Sequence, residues 1–132
     1  MVRIKLALTG DTPYQKLFHS LTIRKAWTQL EAAAASDGLL PQELKEQVRR
    51  VLAFGNGCAY CQVKGKPQTS ENKKVSYAMA YAEIFLLQRE KTEEKFMDVL
   101  KEEFTDSEIS ELIAFICFTT AQQYFGALMD LR

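Results

Sequence analysis

Residues 105–131 have the sequence TDSEISELIAFICFTTAQQYFGALMDL, and this stretch decides the fold. Thr105 and Glu108 have the spacing of a capping box, in which two side chains bind the first free backbone amides of a helix. Apolar residues then follow around most of the helical circumference, which is typical of a helix buried on more than one side. We expect the extra face either inside the monomer or against a second subunit, with Phe125-Gly126-Ala127 allowing another backbone to approach closely.

The rest of the chain has the caps and breakers of a helical protein. They predict one helix from Pro13 to about Ala35, a second from Pro41 to Gly55, a short helix at Cys58, a long helix from Ser70 to about Arg89, and one from Thr92. A sustained period-two pattern, which would indicate strands, is missing after the first eight residues. The sequence therefore predicts a single all-α domain over residues 1–132, a compact bundle of about six helices.

Composition narrows the class of protein. Hydrophobic residues make up 47% and charged residues 26% of the 132 residues, which is typical of one globular domain. Seventeen basic residues balance seventeen acidic ones, so no net charge favours nucleic acid or an anionic membrane. The apolar runs are too short to span a bilayer, and the first residues lack the pattern of a signal peptide. We expect a cytoplasmic protein with no nucleic-acid or membrane partner.

Cys58-Ala59-Tyr60-Cys61 is the one chemical signal in the chain. Two cysteines within one helical turn can cycle between dithiol and disulfide, and the start of a helix favours their thiolates. Half a zinc site and inert core cysteines are the alternatives. Within one chain, zinc would need Cys117 and His19 as further ligands that converge from other helices. Two CxxC pairs from different subunits could share zinc instead, but nothing in the spacing supports that arrangement. We expect Cys117, which lies among apolar residues, to be a small core residue.

This motif and the stretch before it, LPQELKE at residues 40–46, resemble the alkylhydroperoxidase-D-like branch of the carboxymuconolactone decarboxylase superfamily. That branch carries a glutamate, eleven intervening residues, CxxC, three more residues and a histidine. Glu46, Cys58 and Cys61 match this spacing, and the resemblance covers the chain from about Pro13 onward. It implies the family's all-helical fold and a homo-oligomer, as a dimer, trimer or hexamer.

The resemblance also implies peroxidase and thiol–disulfide chemistry without haem, flavin or another cofactor. The protein would be a peroxiredoxin-like antioxidant enzyme that reduces hydroperoxides or protein disulfides and is recycled by a thiol reductant or a partner redox protein. The family roles make Cys61 the nucleophile, Cys58 the resolving cysteine and Glu46 the base. On a helical wheel, however, Glu46 lies opposite the apolar stripe of its helix. It reaches the thiols only if the CxxC helix or a neighbouring subunit packs over that face.

The sequence departs from the family at the histidine, which falls at Gly65 and so cannot move a proton there. Tyr60, Lys64 and His19 are the residues that could support the chemistry instead. Two other functions stay open at this point. The chain could be a non-catalytic relative whose Cys58–Cys61 disulfide is structural or redox-sensing, or an enzyme similar to the decarboxylases, which generally lack the cysteine pair.

Overall fold

The computed structural model describes all 132 residues and contains six α-helices and no strand. The helices are α1 (Leu21–Ala35), α2 (Gln42–Gly55), α3 (Ala59–Gln62), α4 (Lys73–Gln88), α5 (Glu94–Leu100) and α6 (Asp106–Leu128), with short 3-10 turns at Gln15–Leu17 and Arg89–Lys91. The prediction of an all-α fold with about six helices is confirmed. None of these helices combines the length and the apolar character needed to cross a membrane.

Local side-chain caps explain where several helices begin. The capping box predicted for α6 is present, because the Thr105 hydroxyl accepts from the amide of Glu108 (3.2 Å) and the Glu108 carboxylate accepts from the amide of Thr105 (2.9 Å). In α4, the side chain of Asn72 accepts from the amides of Lys74 and Val75. That helix therefore starts slightly later than the sequence predicted.

The single helix expected from Pro13 to Ala35 is wrong. The chain forms a 3-10 turn, becomes extended at Phe18 (ψ 122°), and starts α1 only after Ser20, whose hydroxyl accepts from the amide of Ile23 (3.2 Å). The physical reason is the burial of Phe18, whose ring lies 4.7 Å from that of Phe125 on α6. The chain bends at Phe18, where this ring packs against α6, and the Ser20 hydroxyl then caps the start of α1.

The core lies where α2, α4 and α6 pack together. On each helix, apolar residues spaced three or four apart face the other two helices. Fully buried members of this core are Leu44, Val48 and Leu52 of α2, Ala78 and Ala82 of α4, and Leu112 and Ile116 of α6. Burying a leucine, isoleucine or valine side chain stabilises the fold by about 1.5–3 kcal/mol relative to leaving it exposed, so these three helices form the rigid part of the molecule.

A buried lysine connects the start of α2 to α6. The Lys45 ammonium donates to the carbonyl oxygen of Ser36 (2.8 Å) and lies 3.4 Å from the Glu111 carboxylate. That carboxylate also accepts from the amide of Leu40 (2.8 Å). The buried Lys45 ammonium thus has both a hydrogen-bond acceptor and an opposite charge as partners, as burial requires. These contacts hold α2 in place, and in this position Arg49 of α2 reaches the Cys61 carbonyl of α3.

Helix α1 lies on the surface and has no fully buried residue. Aromatic contacts attach α1 to α6. The ring of Trp27 lies 5.5 Å from that of Phe118 and 5.9 Å from that of Phe125, both on α6. Such ring pairs stabilise packing beyond the area they bury. Through this contact α1 forms one wall of the cavity described below.

Helix α6 has a wide core face and one exposed face. Exposed positions recur at intervals of three and four residues: Ser110, Ala114, Cys117, Ala121, Tyr124 and Leu128. The expectation that Cys117 is a core residue is wrong, because it is a free, exposed cysteine. Phe115 and Ile116 occupy the core side of that turn, and a residue one position further along is rotated by about 100° away from it.

Candidate active site

The cysteine pair lies at the tight connection between α2 and α3. Gly57 has a positive φ of 68°, a conformation that glycine adopts without steric cost, and it turns the chain toward the pair. Cys58 is the N-cap of α3, and its Sγ accepts from the backbone amide of Cys61 (3.2 Å). Cys58 and Cys61 form a disulfide, while Cys117 is free. The prediction that this pair, rather than Cys117, forms the bond is confirmed.

The two cysteines differ in access. Cys58 is fully buried, whereas Cys61 lines a cavity of about 410 Å³. Gly126 of α6 covers the buried sulfur so closely that a Cβ at this position would lie 3.1 Å from Cys58 Sγ. The close approach that the sequence suggested for Gly126 is therefore used inside the chain. A molecule in the cavity reaches Cys61 and not Cys58.

Two tyrosines form an aromatic wall of this cavity. The rings of Tyr14 and Tyr60 are stacked with centroids 6.2 Å apart, and the Tyr14 hydroxyl donates to the carbonyl oxygen of Gln122 (2.7 Å). Burial, and then the negative charge of Glu31, raise the pKa of Tyr14, so its phenol stays protonated as a donor. Tyr60 and Lys64, both candidates from the sequence, line the cavity with Cys61.

Glu46 is connected to the cysteine pair through Arg49. The carboxylate of Glu46 accepts from Arg49 Nη2 (3.1 Å) and from Arg50 Nε (3.4 Å). Arg49 Nη1 in turn donates to the carbonyl oxygen of Cys61 (3.0 Å). Glu46 itself lines a second cavity of about 390 Å³, which shares Arg49 and Lys64 with the first. The packing of α3 over this face of α2, which the sequence required for any role of Glu46, is present.

The electrostatics of Glu46 follow from these contacts. Burial raises the pKa of its carboxyl, but hydrogen bonds and charge from Arg49 and Arg50 outweigh burial, so the pKa is lowered overall. The side chain is thus ionised across the neutral range and held in an ion pair. A carboxylate in this state is a weaker proton acceptor than a free one, and its clearest contact is with the guanidinium that binds Cys61.

Arg49 is the site residue that sequence reasoning missed. Its spacing to Glu46 is i to i+3, which places both side chains on one face of α2 and was visible in the sequence. The contact with the Cys61 carbonyl, however, joins two different helices, and no local pattern predicts it. Without that contact, Arg49 is indistinguishable from the other arginine of the same turn.

A buried polar network behind the cysteine pair was also not predicted. Asn56 Nδ2 donates to Gln123 Oε1 (2.9 Å), and Gln123 Nε2 donates to the carbonyl oxygen of Arg49 (3.1 Å). Arg89 Nη1 donates to Asn56 Oδ1 (2.9 Å). The network joins α2, α6 and the end of α4 directly beside the CxxC connection. The sequence signal for it was weak, since Gln123 is one of two adjacent glutamines on α6.

The structure places His19 and Gly65 away from any proton relay to the sulfurs. His19 is exposed, does not line the Cys61 cavity, and donates from Nε2 to the carbonyl oxygen of Lys5 (2.7 Å). Gly65 has a φ of +111°, and a Cβ there would point toward the Arg50 guanidinium at 3.7 Å. Residues with side chains rarely adopt this φ, so a histidine at position 65 would need a different backbone.

We expect the Glu46 ion pairs to make stability depend on pH. In Glu46→Gln, the free energy of unfolding at neutral pH should fall by at most about 1 kcal/mol, because solvent screens these half-exposed pairs. Since the folded-state pKa is lowered, this contribution is present above the unfolded-state pKa and is lost as pH falls through the folded-state pKa. Urea unfolding of both proteins from pH 7 to pH 2.5 measures the difference. A constant difference over that range would contradict the ion-pair account.

Comparisons with known proteins identified no relative of this chain. A scan against protein-family models, a search of curated proteins and a search of solved structures each gave no match. Within the chain, His, Cys, Asp and Glu side chains nowhere form a group of three able to hold a metal ion. The functional conclusion therefore depends on the geometry around Cys58 and Cys61.

Proposed function

We propose that this protein is a CxxC-dependent thiol oxidoreductase that reduces hydroperoxides or protein disulfides, of the alkylhydroperoxidase-D-like type. The observation that carries the proposal is the unequal access of the two cysteines. Cys61 lines the cavity, and Cys58 is buried under Gly126. A purely structural disulfide does not require a cavity at one sulfur, whereas a redox cycle requires one sulfur that substrates reach and one protected partner.

The cycle assigns a different task to each cysteine. In the reduced protein, the Cys61 thiolate attacks a peroxide oxygen, the O–O bond breaks, and an alcohol leaves after taking up a proton. Cys61 is then a sulfenic acid. The Cys58 thiol attacks the Cys61 sulfur, water leaves, and the disulfide seen in the structure forms. Two electrons have moved from the thiols to the peroxide, and a thiol reductant returns them.

The surroundings support the thiolates by charge and hydrogen bonding. Arg49 and Lys64 line the cavity with Cys61, and cationic neighbours lower thiol pKa values. The Cys61 amide that bonds to Cys58 Sγ would stabilise a Cys58 thiolate when the disulfide opens. In this proposal Glu46 acts chiefly by holding Arg49. Because a positioned general base contributes about 10²–10⁴-fold, peroxide reduction without the family histidine should be slow.

The test is repeated turnover. With excess cumene hydroperoxide and dithiothreitol, the protein should consume many equivalents of peroxide per chain, and thiol titration should show two thiols lost on oxidation and two regained on reduction. A disulfide that is only structural would consume no peroxide above the uncatalysed rate. A sensing disulfide that dithiothreitol does not regenerate would stop after one equivalent. Either of those results would contradict the proposal. The cycle needs a thiol reductant, which a reducing compartment such as the cytoplasm supplies, and we propose that location for it.

We also propose that the native protein is a homo-oligomer that uses the exposed face of α6. Its exposed positions alternate at three and four residues, the spacing with which two like helices pack along a seam, and Ala114, Cys117 and Ala121 are small enough for close approach. Between Leu112 and Met129 the helix carries no charged residue. A second copy supplies the same uncharged face and would cover it.

Light scattering on a size-exclusion column should therefore give a mass well above the 15.1 kDa of one chain. Ala121→Glu places a charge in the middle of this face and should shift the mass toward that of the monomer. Lys66→Glu, at an exposed position away from α6, is the matched control and should leave the mass unchanged. A wild-type protein that is monomeric at micromolar concentration would contradict the assembly.

A further inference from the structure

The two cavities beside the cysteine pair form one cleft. The cavity at Cys61 (about 410 Å³) and the cavity at Glu46 (about 390 Å³) share four lining residues: Glu31, Arg49, Lys64 and Gln122. These shared residues place the two cavities side by side. Together they make up the cleft, whose walls come from α1, α2, α3 and α6 and include Cys61.

Two opposite charges in this cleft have no partner in the chain. Arg49 is engaged by Glu46 and by the Cys61 carbonyl. In contrast, neither Glu31 of α1 nor Lys64, in the turn after α3, has an ion pair or a side-chain hydrogen bond. Both line the cavity that contains Cys61, and they are not paired with each other. Both side chains are exposed to solvent, so the cavity that contains Cys61 carries one free carboxylate and one free ammonium on its walls.

Most side chains that line the Cys61 cavity carry a group that donates or accepts hydrogen bonds, and their apolar parts and the rings of Tyr14 and Tyr60 complete the walls. A polyanion would meet the Glu31 carboxylate there. A cavity of this volume lies within the range of small-molecule sites.

We propose that this cleft binds a small zwitterionic thiol, of the α-amino-acid class, as the reductant of the Cys58–Cys61 disulfide. Its ammonium would pair with Glu31 and its carboxylate with Lys64, and its sulfur would meet Cys61. This inference rests on the proposed thiol–disulfide function and names the class of reductant for it.

The reduction balances with two molecules of that thiol. The first, as thiolate, attacks Cys61 Sγ, the protein S–S bond breaks, and Cys58 leaves as a thiolate that accepts from the Cys61 amide and takes up a proton. A second thiolate attacks the small molecule's sulfur in the mixed disulfide and releases Cys61 as a thiolate. Two thiols have become one disulfide, and the two electrons and two protons lost by them have reduced the protein.

The experiment compares four thiols as reductants of the oxidised protein: cysteine (zwitterion), cysteamine (cation), 3-mercaptopropionate (anion) and 2-mercaptoethanol (neutral). Each rate is divided by the rate with an oxidised synthetic peptide of residues 56–63, which lacks Lys64 and corrects for intrinsic thiol reactivity. After this correction cysteine should be the fastest. Lys64→Gln should slow cysteine and 3-mercaptopropionate about fivefold more than it slows the other two thiols, and Glu31→Gln should slow cysteine and cysteamine about fivefold more than the other two, as expected for solvent-screened ion pairs.

Matched controls separate this pattern from general charge effects. Lys66→Gln and Glu71→Gln change exposed charges outside both cavities and should leave all four corrected rates unchanged. Equal corrected rates for the four thiols, or variants that slow all four in parallel, would overturn the assignment. Failure of dithiothreitol-dependent peroxide turnover would contradict the proposed function. If that turnover is intact but Lys64→Gln and Glu31→Gln do not each slow their own pair of thiols selectively, only the reductant class is overturned.

Discussion

Cys61→Ser should abolish peroxide turnover, whereas Cys58→Ser should retain a single attack on the peroxide. The difference follows from access, because Cys61 lines the cavity and Cys58 is fully buried. Without the Cys61 thiolate no nucleophile meets the substrate, so the rate should fall to the uncatalysed level. With Cys61 alone, one equivalent of peroxide is consumed and the sulfenic acid remains trapped, because no second cysteine resolves it.

Peroxide consumption followed against time, together with mass spectrometry of the protein, measures both effects. Cys58→Ser should gain 16 Da, the mass of one oxygen on a cysteine sulfur, and after addition of a small thiol it should carry that thiol as a mixed disulfide. Cys117→Ser is the matched control, since this cysteine is free and remote from the pair, and it should keep wild-type turnover. Activity retained in Cys61→Ser, or an oxidised Cys61 that appears only when Cys58 is present, would overturn the assignment of the attacking sulfur.

Asn56→Ala should lower the free energy of unfolding by about 3 kcal/mol, the largest loss of stability we expect from a single polar side chain here. The side chain of Asn56 is buried and bonds to Gln123 and Arg89 at once. Its removal leaves a buried amide oxygen and a guanidinium donor without partners, and also leaves a small cavity. Because Gln123 also binds the carbonyl of Arg49, the damage extends to the wall of the cleft.

Urea unfolding monitored by circular dichroism measures this loss. Asn72→Ala is the matched control: the same chemical change removes an exposed N-cap of α4 and should cost about 1 kcal/mol. A loss for Asn56→Ala that is no larger than the loss for Asn72→Ala would show that the buried network does not stabilise the fold beyond an ordinary helix cap.

Most helix boundaries could be predicted because they depend on interactions within a few residues. The Thr105 capping box, the end of α2 at Gly55 and the short helix at the cysteine pair all lie where the sequence placed them. Phe18 shows the limit of this approach. Its burial against α6 interrupts what the local pattern predicts as continuous helix, because a contact between distant residues outweighed local preference.

The candidate site residues also divide into those that local sequence could predict and those that depend on contacts between distant residues. Tyr60, Lys64 and Cys61 share one cavity, and they are neighbours in sequence. His19 binds the N-terminal segment instead, and Glu46 reaches the pair only through Arg49. Arg49 and Gln123 could not be singled out, since their partners come from other helices.

The sequence by itself determined the all-α class, the capped start of α6 and the pairing of Cys58 with Cys61, because each depends on residues within about one helical turn. Only the tertiary structure decided that Cys61 lines the cavity while Cys58 is buried, and Gly126, which lies on a different helix, covers Cys58. It also decided that Cys117 is exposed, because the rotation of α6 follows from its packing on α2 and α4. Access to a side chain is a property of the elements packed around it, and a local pattern does not contain that information.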